Sequence, residues 1–125
     1  VLFVNSIGSD RSYRRRAEVI AMSGLPAERF ATLVHPFASV SHRAEVGLGT
    51  CVNGFVRIAS GVKVGNHVWL GSGCALEHDV AVEDYAVVGA GSVLTGGVRV
   101  RTSAYIGAQA ALRTRVEVGE KAQVG

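Results

Sequence analysis

Counted in sixes from Val34, the chain places an aliphatic residue at every step: Val34, Val40, Val46, Val52, Ile58, Val64 and onward to Val124, sixteen positions without an exception. Two residues before each, from Ala38 to Ala122, stands Ala, Ser, Thr, Cys or Val. No insertion breaks the phase. A period of six matches neither the 3.6 of a helix nor the two of a simple strand. It matches short strands separated by tight corners and wound into a solenoid, with two inward positions per six residues. The large aliphatic fills the interior and the small residue sits where the wall turns. Glycines directly after the aliphatic, at Gly47, Gly65, Gly71, Gly89, Gly107 and Gly119, are expected to give the corners their backbone freedom.

Before residue 34 the pattern changes. VLFV at 1–4 reads as a strand, and Asn5-Ser6-Ile7-Gly8 leads to Ser9 or Asp10 as a helix N-cap. Helical spacing puts Tyr13, Ala17, Ile20 and Ala21 on one face, with Gly24 as the stop. RFATLVHP then gives a second strand ending at Pro36. Residues 1–33 therefore read as the C-terminal half of a small βαβ-type domain, and 34–125 as the solenoid. A turn at Gly8 running into a helix N-terminus suits either phosphate contact or an ordinary tight turn. Arg14, Arg15 and Arg16 read as a solvated helix face.

Composition narrows the function classes. Hydrophobic residues make up 48% and charged residues 18% of 125, which suits a packed domain and not a disordered one. VLFV is too short to span a bilayer, and no signal peptide is recognisable, so a cytoplasmic, non-membrane protein is expected. Cys51 and Cys74 form no CxxC and no metal-like cluster; both read as small buried hydrophobes. A net charge of +3, without interleaved aromatic and basic residues, gives no case for nucleic acid. The missing initiator Met and the end in mid-pattern suggest a piece of a longer protein.

The repeat resembles that of the hexapeptide-repeat acyltransferases over residues 34–125. The resemblance implies a left-handed parallel β-helix of about five coils, eighteen residues each. The partial βαβ unit, HPFASVSHRAEVGLGTCV and GCALEHDVAVEDYAVVGAGSVLTGGV together look like one subfamily. These are the bacterial acetyltransferases of nucleotide-linked amino sugars or sialic acids. That implies acetyl-CoA as donor, a homotrimer, and transfer to a sugar amine or hydroxyl. Against that subfamily, the opening half of the N-terminal domain and the last coil and tail are absent.

Within the repeat, Glu77, His78 and Asp79 are three consecutive ionisable residues. His78 falls between the inward Leu76 and Val80 and so points out, with Ser60 one coil back and Gly96 one coil on. Small neighbours on both sides leave room for a ligand. Acyl transfer needs a proton removed from the attacking group, and imidazole, with an ordinary pKa of ~6.5, suits that work. A neighbouring carboxylate fixes its tautomer. The resemblance assigns the base to His78 and its partner to Asp79, with Glu77 second, and gives Gly96 the backbone N–H facing the acyl oxygen. Gly96, Gly107 and Ala108 would let the pantetheine arm approach the backbone, and Gly8 would contact the nucleotide-linked substrate. Arg99, Arg101, Arg113, Arg115 and Lys121 are candidate phosphate partners. Where the subfamily can carry a second histidine, nine residues after the base, stands Val87.

The remaining histidines weigh less: His35 as a junction hydrogen bond, His42 and His67 as solvent-facing or interface residues. Two other classes compete. His42 and His78, two coils apart, resemble part of the ligand spacing of γ-class carbonic anhydrases, but Glu83 stands where a third imidazole would be needed; no metal is expected. The other rival is a catalytically silent β-helix serving as an assembly module.

Overall fold

The computed structural model describes residues 1–125. Sixteen two-residue strands, from Leu33–Val34 to Gln123–Val124, fall into three parallel sheets in which every neighbour is three strands away in sequence. The register is eighteen residues throughout: Leu33 lies beside Cys51, Arg57 beside Ala75, Lys63 beside Ala81. The chain is thus a three-sided parallel β-helix of about five coils. Its first face carries Leu33–Val34, Trp69–Leu70 and Tyr105–Ile106, its second Ala75–Leu76, and its third Ala81–Val82. The core is the six-residue pattern itself: Leu70, Leu76, Val88, Leu94, Val100 and Ile106 have no exposed surface, and the small positions Val62, Cys74, Val80 and Ala86 are equally closed. Inward residues meet solvent at the two ends, Val34 and Val40 in the opening coil and Val116 in the last, where no further coil covers them. Burial pushes the Cys74 thiol up to about 12, so it behaves as a small hydrophobe.

The corners correct one expectation. Glycines directly after the aliphatic do not hold left-handed backbone. That conformation falls two residues later, where five glycines and eight other residues from Gly49 to Lys121 have positive φ. The glycine after the aliphatic answers to crowding instead. A Cβ at Gly71 would lie 2.6 Å from the Ala90 nitrogen, and one at Gly89 2.5 Å from that of Ala108. Corners in adjacent coils stack that closely.

Residues 1–32 lie against the first face, which begins at Leu33. Phe3 and Phe30 form a parallel bridge where strands were expected. The Ser9 hydroxyl accepts the N–H of Ser12 at 3.1 Å, capping a turn that leads through Tyr13–Arg15 into a helix of six residues, Arg16–Ala21. Tyr13 and Ile20 are buried as expected, but Ala21 is exposed. Arg16 takes the place assigned to a solvated side chain and is 1% exposed. Tyr13 reaches the far end of the solenoid, its ring 5.2 Å from that of Tyr105 and its hydroxyl donating to the Lys121 carbonyl.

His67, expected as a solvent-facing or interface residue, is buried at the same junction, between the N-terminal segment and the solenoid. Its ring stacks on Tyr85 at 5.4 Å and meets the Phe30 edge at 4.7 Å. Burial first, then the Arg16 charge, push its pKa down, with Asp84 opposing. A depressed value means that the unfolded chain takes up the proton first as pH falls. Stability supplied by neutral His67 is therefore present above the ordinary histidine range and lost on acidification. Melting temperature is expected to drop between about pH 7.5 and about pH 5. It should drop less in His67→Asn, because asparagine tolerates the left-handed φ of 55° at this corner and does not titrate. Equal drops in the two proteins, followed by circular dichroism, would count against the assignment.

Candidate functional site

His78 and Asp79 sit on the edge between the second and third faces. The peptide units there are tied to the coils on both sides. Asp79 N–H donates to the Ser60 carbonyl at 3.1 Å, and the His78 carbonyl accepts from Gly97 N–H at 3.0 Å. Asp79 adopts a φ of 61°, a left-handed conformation that aspartate tolerates better than most residues. That bend turns its carboxylate back on the neighbouring ring: His78 Nδ1 and Asp79 Oδ2 are 3.1 Å apart. Gly61, one coil before, leaves space for the Asp79 carboxylate that any Cβ would fill. Gly96, one coil on, does the same for the imidazole, since a Cβ there would lie 2.5 Å from His78 Nε2 and Cε1. Both side chains remain largely open to solvent.

The arrangement separates the two candidate carboxylates. Glu77 lies on the second face, paired with Arg57 of the preceding coil, while Asp79 meets the imidazole. In the tautomer whose Nδ1–H donates to Asp79, Nε2 keeps its lone pair and faces the space over Gly96. Gly96 N–H makes no hydrogen bond within the chain. An imidazole nitrogen without a partner in the chain and a free backbone donor thus share one small, open patch.

The other candidates lie elsewhere on the prism. Gly107 and Ala108 are on the edge between the first and second faces, as is the groove bounded by Gly8, Ser9, Asn53 and Trp69, a cavity of ≈ 330 Å³. Gly8 and Ala108 line that same groove. Val87 packs beneath it, 6% exposed on the first face. A single chain therefore brings His78, Asp79 and Gly96 together but holds Gly8, Gly107 and Ala108 along a different edge. None of the chain's cavities contains His78.

The cations do not form one cluster. Arg101 is held by Glu83 and Glu117, each at 2.8 Å. Arg113 and Arg115 flank the edge of His78, while Lys121 belongs to the edge between the third and first faces. No grouping of three His, Cys, Asp or Glu side chains could hold a metal ion. No helix is long and apolar enough to cross a membrane. Arg16 was missed altogether; the sequence signal, an arginine at helical spacing with buried Tyr13 and Ile20, was hidden by the two arginines before it.

Residues 61–96, which include the His78–Asp79–Gly96 patch, match the family model for the bacterial transferase hexapeptide (six repeats). No curated protein sequence matches the chain. Among solved structures, the acetyltransferase domain of PglB from Neisseria gonorrhoeae is 24% identical, with a TM-score of 0.84 over 98% of this chain. That domain has also been solved in complex with acetyl coenzyme A. The chain spans 58% of its length. WeeI from Acinetobacter baumannii matches at a TM-score of 0.64 and 16% identity, over 91% of this chain and 68% of its own. PerB from Caulobacter crescentus, in complex with CoA and GDP-perosamine, matches at 0.50 and 22%, over 100% and 75%. At these identities the likeness is one of fold. The architecture is that of the left-handed parallel β-helix, built here on a six-residue repeat.

Proposed function

We propose that this chain is the acyl-transfer part of an acetyl-CoA-dependent acetyltransferase acting on the amine or hydroxyl of a nucleotide-linked sugar. The observation that carries the reading is the His78 imidazole, bonded through Nδ1 to Asp79 and lying over Gly96 with Nε2 free. Bound acetyl-CoA supplies the activated acyl group. His78 Nε2 accepts the proton of the amine or hydroxyl as it attacks the thioester carbon and returns it to the CoA sulfur as the C–S bond breaks, and Asp79 holds the ring in the tautomer that leaves the Nε2 lone pair free. Gly96 N–H is positioned to hydrogen-bond the acyl oxygen as it takes up charge. Glu77, engaged with Arg57, has no part in this relay.

Gly8, Gly107 and Ala108 fit the reading only if the edge they share lies beside His78 of another copy. The reading therefore includes assembly into a homotrimer, with each site walled by two chains. The relatives support the sugar acceptor: PglB by its acetyltransferase domain and PerB by its GDP-perosamine complex.

The test is thiol release from acetyl-CoA by the full-length protein across a panel of nucleotide-linked amino sugars. Turnover with one member supports the reading; a folded trimer silent with all of them counts against it. Asp79→Asn separates the relay from the fold, since asparagine also accepts left-handed φ. It is expected to keep the melting temperature and lower kcat by about 10-fold or more, through loss of tautomer control.

A further inference from the structure

Arg16 is a buried cation that the proposed reaction does not use. Its Nε donates to the Ile7 carbonyl at 2.6 Å, and its Nη1 donates to the carbonyls of Tyr85 at 2.7 Å and Ala86 at 3.3 Å. No carboxylate pairs with it. Burial pushes its pKa down only to about 10, so the guanidinium stays charged at neutral pH. A buried charge held only by carbonyls is a costly way to fasten two pieces of chain when apolar packing would serve. The cost points to geometry. Ile7 precedes Gly8 and Ser9, which form one wall of the groove, and Trp69, Asn53 and Tyr105 of the first face form another. A Cβ at Gly8 would lie 3.2 Å from Arg16 Nε, so the loop runs directly over the guanidinium. Tyr85 and Ala86 close the coil that begins at Trp69 and carries His78.

We infer that Arg16 is a positioning residue: it clamps the 5–9 loop onto the coil bearing His78, and so sets where the Gly8–Ser9 wall of the groove stands to receive the nucleotide part of the acceptor, while the Ala108 wall, assigned to pantetheine, belongs to the solenoid and stays in place. This rests on the acetyltransferase reading above. Lysine cannot replace it, because one ammonium cannot donate in two fixed directions as the forked guanidinium does. Trp69 lines the groove and is the only tryptophan of these 125 residues, so the emission lost in Trp69→Phe reports on the groove.

The experiment compares the full-length protein with Arg16→Lys and Arg16→Met. It reads KM for the acceptor sugar, KM for acetyl-CoA, kcat, melting temperature, and Trp69 emission on titration with UDP or GDP. The expected result for Arg16→Lys is an acceptor KM raised about 10-fold or more, with kcat and the acetyl-CoA KM within about twofold, as for a misplaced binding wall. The nucleotide-induced change in Trp69 emission should move to higher concentration in step. Should Arg16→Met fail to fold, Arg16→Lys alone decides. Wild-type turnover with an unchanged acceptor KM in Arg16→Lys overturns the clamp and leaves the acetyltransferase reading standing. Melting temperature, kcat and both KM values worsening together would make Arg16 a structural tie only, which also overturns it. No turnover with any sugar and no response of Trp69 to either nucleotide would sink both readings.

Discussion

Replacing His78 with alanine is expected to lower kcat by about 10³-fold, within the range for loss of a general base, while leaving the fold intact. The fold is spared because His78 contributes nothing to the core. Its side chain is 72% exposed, and its backbone hydrogen bonds to the neighbouring coil do not depend on the ring. Activity has no such reserve. Glu77 cannot substitute, since it is turned onto Arg57. His42 stands two coils away on the same edge and belongs to a different height of the prism. Single-turnover measurement with saturating acetyl-CoA reads the chemical step apart from product release. A loss confined to KM would place His78 among the binding residues and return the base to an unknown group. Preserved kcat would refute the relay outright.

The site was partly legible before any fold was known because the solenoid makes register arithmetic. Adding eighteen to His78 gives Gly96, and the structure has the imidazole over that glycine. The same arithmetic put Leu76, Val80 and Leu94 inside. It cannot choose between Glu77 and Asp79. That choice depends on the left-handed φ of Asp79 and on Arg57 reaching diagonally across Ala75 to Glu77, neither of which a period of six encodes. Nor can it say which edge a residue shares with a partner chain, so Gly107 and Ala108 were grouped with Gly96 although, within one chain, the second face lies between them. The N-terminal segment was the least legible. Its helix is short, and its burial is decided by docking against the first face. Arg16 thus went inside where local pattern placed it in solvent, and His67 where it was expected in solvent or at an interface. The corner glycines show the same limit. Their sequence period was plain, but whether glycine answers to φ or to crowding depends on the distance between coils.

Gly96→Ala is expected to be the most selective lesion in the molecule: a single methyl group that leaves stability almost unchanged and lowers kcat by about 10²-fold, as for loss of aligned geometry. Gly96 is not among the residues with positive φ, so alanine brings no backbone strain. The nearest atoms to its added Cβ would all belong to the His78 ring, Nε2 and Cε1 at 2.5 Å. Backbone cannot yield in so tightly stacked a wall, but an exposed imidazole can rotate away. In rotating it would leave Asp79 Oδ2, lose its fixed tautomer, and move off the space beside the Gly96 N–H. Gly71→Ala is the control. Its Cβ would strike the Ala90 backbone, which cannot rotate aside, so that variant should lose stability. Melting curves and kcat measured on both variants separate the two effects. If Gly96→Ala kept full activity, the ring would not need to lie where the structure has it, and the relay through Asp79 would lose its geometric basis.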